Sequence, residues 1–230
     1  MTTTTEHVFT SKLRGLADIT IEAQQDELEV RGNALASGDD AEDTRTEDEI
    51  IARLDSGDVW AWATVKVTAT WSGFEGSDTL GACSYESEEN FKADGHYTDM
   101  VSAALEELAQ AIEDGSDEKA RALADTIGDD ASDIVAESYG EEYSIGESRS
   151  YRVLTEDEAD TAWDESLDSY LDECVLPELP EHLRNYFDTD SWKSDAKYDG
   201  RGHSLSSYDG DELDGTDPLT DESFVIFRTN

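Results

Sequence analysis

Apolar and polar side chains alternate along residues 59–71, the clearest periodic pattern in the chain. Neighbouring side chains of a strand point to opposite faces. One face here would carry Val59, Ala61, Ala63, Val65, Val67, Ala69 and Trp71. The pattern therefore predicts a β-strand whose alanine–valine face lies in the core. Residues 72–76 are typical of a turn, and Thr79–Tyr85 is predicted to pair back as the second strand of an antiparallel hairpin.

Two longer segments carry apolar residues at intervals of three and four, which is the period of a helix packed along one side. These segments are Tyr97–Glu113 and Thr155–Val175. The second begins with Thr155 and Glu158 at the spacing of a capping box. Short apolar runs at Ser150–Leu154 and Phe224–Arg228 are predicted to be strands that pair with each other.

The order of these elements predicts an α+β fold with antiparallel sheets and packed helices. We expect an N-terminal module of a β-hairpin and helix over residues 1–114, and a C-terminal β-helices-β module over residues 149–230. Residues 115–148 are acidic and contain four glycines, which favours an acidic helical connector between the modules. Residues 1–15 suggest a loose threonine-rich tail, and residues 36–48 suggest a loop.

The charge of the chain is extreme. It contains 58 Asp and Glu against 16 Lys and Arg, so its formal net charge is −42. Direct nucleic-acid binding is not expected, because it needs clustered cations. Adaptation to molar salt is the favoured explanation, since the Debye length near 1 M is only about 3 Å; mimicry of a nucleic acid is the alternative. Five Trp and nine Tyr residues argue against a disordered chain.

The sequence contains neither a long apolar run nor the apolar segment of a signal peptide. We therefore expect no membrane association, and a location in the cytoplasm of a halophilic host. No P-loop, dinucleotide-binding, zinc-protease or paired-cysteine motif occurs, so neither a cofactor nor a metal is predicted. The acidic run Asp209–Gly215 has Leu213 and Asp214 where a calcium loop requires an oxygen ligand and glycine.

The densest group of chemically capable side chains lies at residues 198–210. Its candidate binding residues are Asp199, Arg201, His203, Ser206 and Tyr208. An arginine between two glycines can present its guanidinium to an anionic or polar ligand, and a histidine titrates near neutral pH. The same side chains could instead serve only the folding of the loop.

Trp60 and Trp62 are a second candidate, because both lie on the strand face opposite the alanine–valine face. Exposed tryptophans mark protein interfaces. The alternative is that they lie buried under the 97–113 helix. Cys83 and His96 could form a nucleophile pair, but Cys83 is expected to be a small buried apolar residue.

Two long segments carry a resemblance to known sequences. Residues 30–112 contain VRGNALASGDD and DGHYTDM, and residues 150–228 contain YRVLTEDEADTAWDESLDSYLDECVLPELPEHLRNYF and KYDGRGHSLSSYDG. Both resemble uncharacterised accessory proteins that recur in the genomes of tailed phages and related mobile elements. The resemblance implies a viral or mobile-element context, and it assigns no activity.

Three hypotheses for the function follow. The leading one is a non-enzymatic viral or mobile-element accessory protein that acts by contact with a host or viral protein in a high-salt cytoplasm. The second is a nucleic-acid mimic that inhibits a host defence enzyme. The third is an enzyme that uses the loop at residues 199–209.

Overall fold

The computed structural model describes residues 3–137 and 141–230. The chain divides into two compact units, Met1–Asp114 and Gly115–Asn230. Each unit contains one antiparallel sheet with helices packed against it. The predicted α+β class is therefore confirmed.

The first unit is built on a three-stranded sheet in the order β1-β2-β3. Its strands are β1 (Asp18–Gln25), β2 (Ala63–Trp71) and β3 (Phe74–Cys83). Its helices are α1 (Thr3–Leu16), α2 (Asp40–Asp55), α3 (Glu88–Lys92) and α4 (Gly95–Gly115).

The predicted hairpin and helix α4 are confirmed, but β2 begins only at Ala63, after a 3-10 turn at Val59–Ala61, and β3 begins at Phe74, inside the predicted turn. Every second side chain of β2, from Ala63 to Ala69, is buried. A stripe of α4 is also buried, at Met100, Ala104, Leu105, Leu108 and Ile112. The backbone of α4 passes directly over β3 at Gly76, where an added Cβ would lie 2.2 Å from the backbone nitrogen of Leu108.

Two segments that were predicted to be irregular are helical. Residues 3–16 form α1 rather than a loose tail, and α2 begins at Asp40, inside the predicted loop at 36–48. The Asp39 carboxylate caps α2 by accepting hydrogen bonds from the backbone N–H groups of Ala41 and Glu42. Acidic side chains in a first helical turn also interact favourably with the helix dipole. The acid-rich composition that indicated a loop is therefore that of a helix N-terminus.

The second unit has a five-stranded sheet in the order β4-β5-β6-β8-β7. Its strands are β4 (Ile134–Ala136), β5 (Glu142–Ile145), β6 (Arg149–Leu154), β7 (Leu213–Thr216) and β8 (Ser223–Arg228). Its helices are α5 (Glu118–Ile127), α6 (Glu156–Tyr170), α7 (Glu181–Arg184), α8 (Thr189–Ala196) and α9 (Arg201–Leu205). The predicted pairing of β6 with β8 is confirmed, with Leu154 opposite Val225, as is the capping box of Thr155 and Glu158.

The predicted connector is wrong. Residues 115–148 supply α5, β4 and β5 to the second unit, while residues 138–140 lie outside the described part of the chain. Tyr143 anchors this segment, because the residue is only 1% exposed and its hydroxyl donates to Asp117 at 2.9 Å. Two of its glycines lie in turns between short elements, Gly128 with a φ of 75° at the end of α5 and Gly146 with a φ of 60° between β5 and β6.

Helices cover both faces of this sheet, which explains why four consecutive residues of β8 are buried and apolar. Leu154, Val225 and Phe227 pack against Ala159 and Ala162 of α6 and Leu205 of α9. The opposite face receives α5, whose Ala122 and Thr126 would contact a Cβ placed at Gly215. The position of α9 is thus set by the core.

Helix α6 continues into one wide π-helical turn at Leu171–Val175. A π turn takes an extra residue, so side chains beyond it leave the three-and-four stripe. Leu171 is still buried at 4% exposure, whereas Cys174, for which the three-and-four spacing predicts a place in the core, is exposed.

Candidate functional site

A cavity of about 580 Å³ opens on the second unit beside the C-terminal half of α6. Helix α8 and the segment 197–204 form its other walls. Its aromatic lining is Tyr170 and Trp192, and its acidic lining is Asp195 and Asp199. Ser166, Leu167, Ala196, His203 and Ser204 complete the lining. We call it the aromatic–acidic cavity.

The two aromatic rings of this cavity stack on each other. The ring centroids of Tyr170 and Trp192 are 6.2 Å apart, and the ring planes differ by 8°. Tyr170 is 57% exposed, and it is the last residue of α6 before the π turn. Two aromatic faces are thus held by neighbouring helices at the edge of a concave surface.

The lysines nearest the cavity form ion pairs with acids of α6. The Nζ of Lys193 lies 2.5 Å from Asp168, and the Nζ of Lys197 lies 2.7 Å from Asp164. Lys197 also lies over the ring of Trp163, 5.1 Å from its centroid. The hydrogen bond from Lys197 lowers the pKa of Asp164. These pairs fasten α8 and residue 197 to α6, and they hold both ammonium groups on acids that do not line the cavity.

The lining acids are arranged differently. Across residues 3–137 and 141–230, neither Asp195 nor Asp199 has a side-chain hydrogen bond or ion pair. Both are exposed, as is His203. The cavity therefore combines stacked aromatic rings with carboxylates that the described cations leave uncompensated.

Arg201, at the centre of the predicted binding loop, has a structural role, because its guanidinium is used in contacts within the second unit. Its Nη1 donates to Glu156 at 2.9 Å and to Asp160 at 3.1 Å, and its Nε and Nη2 donate to Glu212 at 3.1 and 2.6 Å. Its side chain is only 13% exposed, and the Glu212 contact raises its pKa. The expectation that Arg201 presents its guanidinium to a ligand is wrong, because three acids surround the guanidinium.

Ser206 and Tyr208 also have structural contacts. The Ser206 hydroxyl lies 2.8 Å from Asp209 and 2.7 Å from the carbonyl oxygen of Arg228. The Arg228 guanidinium lies over the Tyr208 ring at 3.7 Å from its centroid. These contacts fasten the end of the loop to β8, and neither residue lines the aromatic–acidic cavity.

The tryptophan pair in the first unit is not an exposed interface. Trp62 is 3% exposed, and its Nε1 donates to the carbonyl oxygen of Leu28 at 2.7 Å. It packs with Val30 and Ile50 of the α2 side of the unit rather than under α4. Trp60 lies in a 3-10 turn, partly buried, with its ring centroid 5.8 Å from that of Phe91.

Cys83 and His96 do not form a nucleophile pair. The Cys83 Sγ lies 3.2 Å from the carbonyl oxygen of Ala63, and burial raises the pKa of the thiol. The Nδ1 of His96 instead lies 3.1 Å from the Tyr85 hydroxyl. Cys83 is half-buried, which agrees with a packing role.

Sequence reasoning thus placed Asp199 and His203 in the cavity and missed its aromatic wall. Tyr170 fits the three-and-four spacing of the segment Thr155–Val175, which favours burial, and Trp192 belongs to no motif in the sequence. A signal was present in the composition: residues 186–204 contain four aromatic residues but no aliphatic residue larger than alanine. Such a segment has too little apolar partner surface to bury its rings.

No group of three or more His, Cys, Asp or Glu side chains in the described ranges could hold a metal ion. Likewise, the part of the chain that the structure describes has no helix of the length and apolarity needed to cross a membrane. Comparison with known proteins found no matching family model, curated protein or solved structure.

Proposed function

We propose that this chain is a non-enzymatic accessory protein that binds another protein through the aromatic–acidic cavity. The observation that carries the proposal is the stacking of the exposed Tyr170 on the partly buried Trp192 at the edge of a cavity of about 580 Å³. Tyrosine and tryptophan are enriched in the central contacts of protein interfaces, where they fill or form pockets.

The contacts of the 198–210 loop support binding over catalysis. An enzyme that used this loop would need its polar groups within reach of a substrate. Arg201 is held by Glu156, Asp160 and Glu212, and Ser206 is held by Asp209 and the backbone of β8. The side chains of Arg201 and Ser206 are thus used to hold the loop in place.

The setting that we propose is a viral or mobile-element context in a salt-rich cytoplasm. The context rests on the resemblance of residues 30–112 and 150–228 to phage accessory proteins. The proposal of a salt-rich cytoplasm rests on the net charge of −42. The repulsion between so many carboxylates is screened when counter-ions are at molar concentration.

The proposed function is tested by affinity capture from host cells in molar KCl. A Tyr170→Ala/Trp192→Ala double variant should fail to retain partners that the unmodified chain captures. Tyr186→Ala is the matched control, because Tyr186 is 85% exposed and does not line the cavity. Equal capture by all three chains, at equal thermal midpoints, would contradict binding through this cavity.

A further inference from the structure

We infer that the aromatic–acidic cavity accepts an arginine side chain of the partner. The inference rests on the proposed function and names the chemistry of the same site. A guanidinium is a planar cation that stacks on aromatic faces and pairs with carboxylates. Tyr170 and Trp192 supply the faces, and Asp195 and Asp199 supply the carboxylates.

The charge distribution around the cavity favours a cation that comes from outside. The neighbouring cations Lys193, Lys197 and Arg201 are paired with acids of α6 and with Glu212. None of those acids lines the cavity. These three cations are thus paired with acids outside the cavity, while Asp195 and Asp199 have no ion-pair partner within the described residues.

Two pairs among the described residues of the same unit already place a cation over an aromatic ring. Arg228 lies over Tyr208 at 3.7 Å from the ring centroid, and Lys197 lies over Trp163 at 5.1 Å. In both cases a cation rests on a partly or fully exposed aromatic ring. The cavity offers an equivalent aromatic surface, and it adds two carboxylates.

High salt favours arginine over lysine. With a Debye length of about 3 Å near 1 M salt, only groups in direct contact keep a strong electrostatic interaction. An ammonium is a strongly hydrated point charge, whereas a guanidinium is weakly hydrated and retains stacking and directed hydrogen bonds. The cavity is larger than one side chain, so residues flanking the arginine can enter with it.

The test uses the full chain in molar KCl and three short probes. These are the tripeptide Gly-Arg-Gly with blocked ends and its counterparts with lysine and with citrulline, the neutral isostere of arginine. Binding is followed by NMR through the indole N–H signal of Trp192, assigned with Trp192→Phe. The arginine probe should bind about tenfold more tightly than the citrulline probe, as expected for one charged hydrogen-bonded contact.

The variants separate a specific contact from general attraction to an acidic protein. Asp195→Asn and Asp199→Asn should each weaken the arginine probe about five- to tenfold, the loss expected for one charged contact. Asp190→Asn is the matched control, because Asp190 lies on the same helix α8 outside the cavity lining. The inference would be overturned if the citrulline or the lysine probe bound as tightly as the arginine probe. It would also be overturned if Asp190→Asn weakened the arginine probe as much as Asp195→Asn or Asp199→Asn does.

The two proposals fail in different ways. If partner capture depends on Tyr170 and Trp192 but the arginine probe does not bind, the proposed function stands and the arginine inference fails. If the arginine probe binds selectively but capture is indifferent to both aromatic residues, the proposed function fails.

Discussion

Asp217 is a completely buried carboxylate whose partners come from two parts of the second unit. It forms a two-point ion pair with Arg121 of α5, with Nε to Oδ1 at 3.0 Å and Nη2 to Oδ2 at 2.7 Å. It also accepts hydrogen bonds from the Leu219 N–H and the Thr220 hydroxyl. One side chain thus ties α5 to the turn between β7 and β8.

We expect Asp217→Asn to destabilise the second unit by about 3 to 5 kcal/mol, because it leaves a buried guanidinium without its counter-charge. The measurement is urea unfolding in molar KCl. Asp214→Asn serves as control, since Asp214 is an exposed acid on β7 and should change the free energy of unfolding by less than about 0.5 kcal/mol. Equal losses for both variants would show that the ion pair contributes nothing specific.

At the scale of elements, helix α4 and the sheet of the first unit approach each other closely at Gly76. A Cβ there would lie 2.2 Å from the Leu108 nitrogen and 2.4 Å from the Ala104 carbonyl oxygen, both backbone atoms of α4. Because backbone cannot move aside as a side-chain end can, α4 must shift away from β3.

We therefore expect Gly76→Ala to lower the free energy of unfolding by about 1 to 3 kcal/mol, the usual cost of overpacking. Circular dichroism melts in molar KCl measure the effect. Gly95→Ala at the start of α4 is the control, because a Cβ at Gly95 has no atom within 4 Å. A melting temperature for Gly76→Ala that matches this control would contradict the close packing.

Elements whose apolar residues recur at a regular spacing could be predicted from the sequence. A segment marked only by its acids and glycines could not. The strand β2, the helix α4 and the pairing of β6 with β8 have enough apolar residues at regular spacing to identify them. The segment 115–148 does not: its strands β4 and β5 are three and four residues long, too short to show an alternation. Its acids and glycines therefore suggested a connector.

The candidate site shows the same limit at finer scale. Asp199 and His203 were found because they stand together in the sequence, and Tyr170 and Trp192 were missed because only the fold brings them together. The contacts of Arg201 with Glu156 and Asp160 join residues more than 40 positions apart. No local sequence pattern predicts such a pairing. The glycine-flanked Arg201 therefore appeared able to bind a ligand, whereas its guanidinium is surrounded by acids of the same unit.

For the whole molecule, the dominant quantity is the net charge of −42. At 0.1 M salt the Debye length is about 10 Å, so exposed carboxylates on one surface repel one another across several side chains. At 1 M it is about 3 Å, and repulsion is limited to groups nearly in contact. Lowering the salt therefore destabilises the folded state relative to an expanded chain, in which the same charges lie farther apart.

We expect the thermal midpoint to rise steeply as KCl increases from about 0.1 M to 3 M. Substantial unfolding is expected below a few tenths molar, where the Debye length exceeds the length of a side chain and charge repulsion reaches neighbouring residues. Circular dichroism and tryptophan fluorescence should report the same transition, and restoring the salt should refold the chain. Sucrose at matched water activity is the control, because it favours compact states through exclusion without screening charge. If sucrose replaces KCl fully, screening is not the cause. A midpoint that stays flat across this range would contradict the high-salt proposal, and it would favour a nucleic-acid mimic whose charge is kept for recognition.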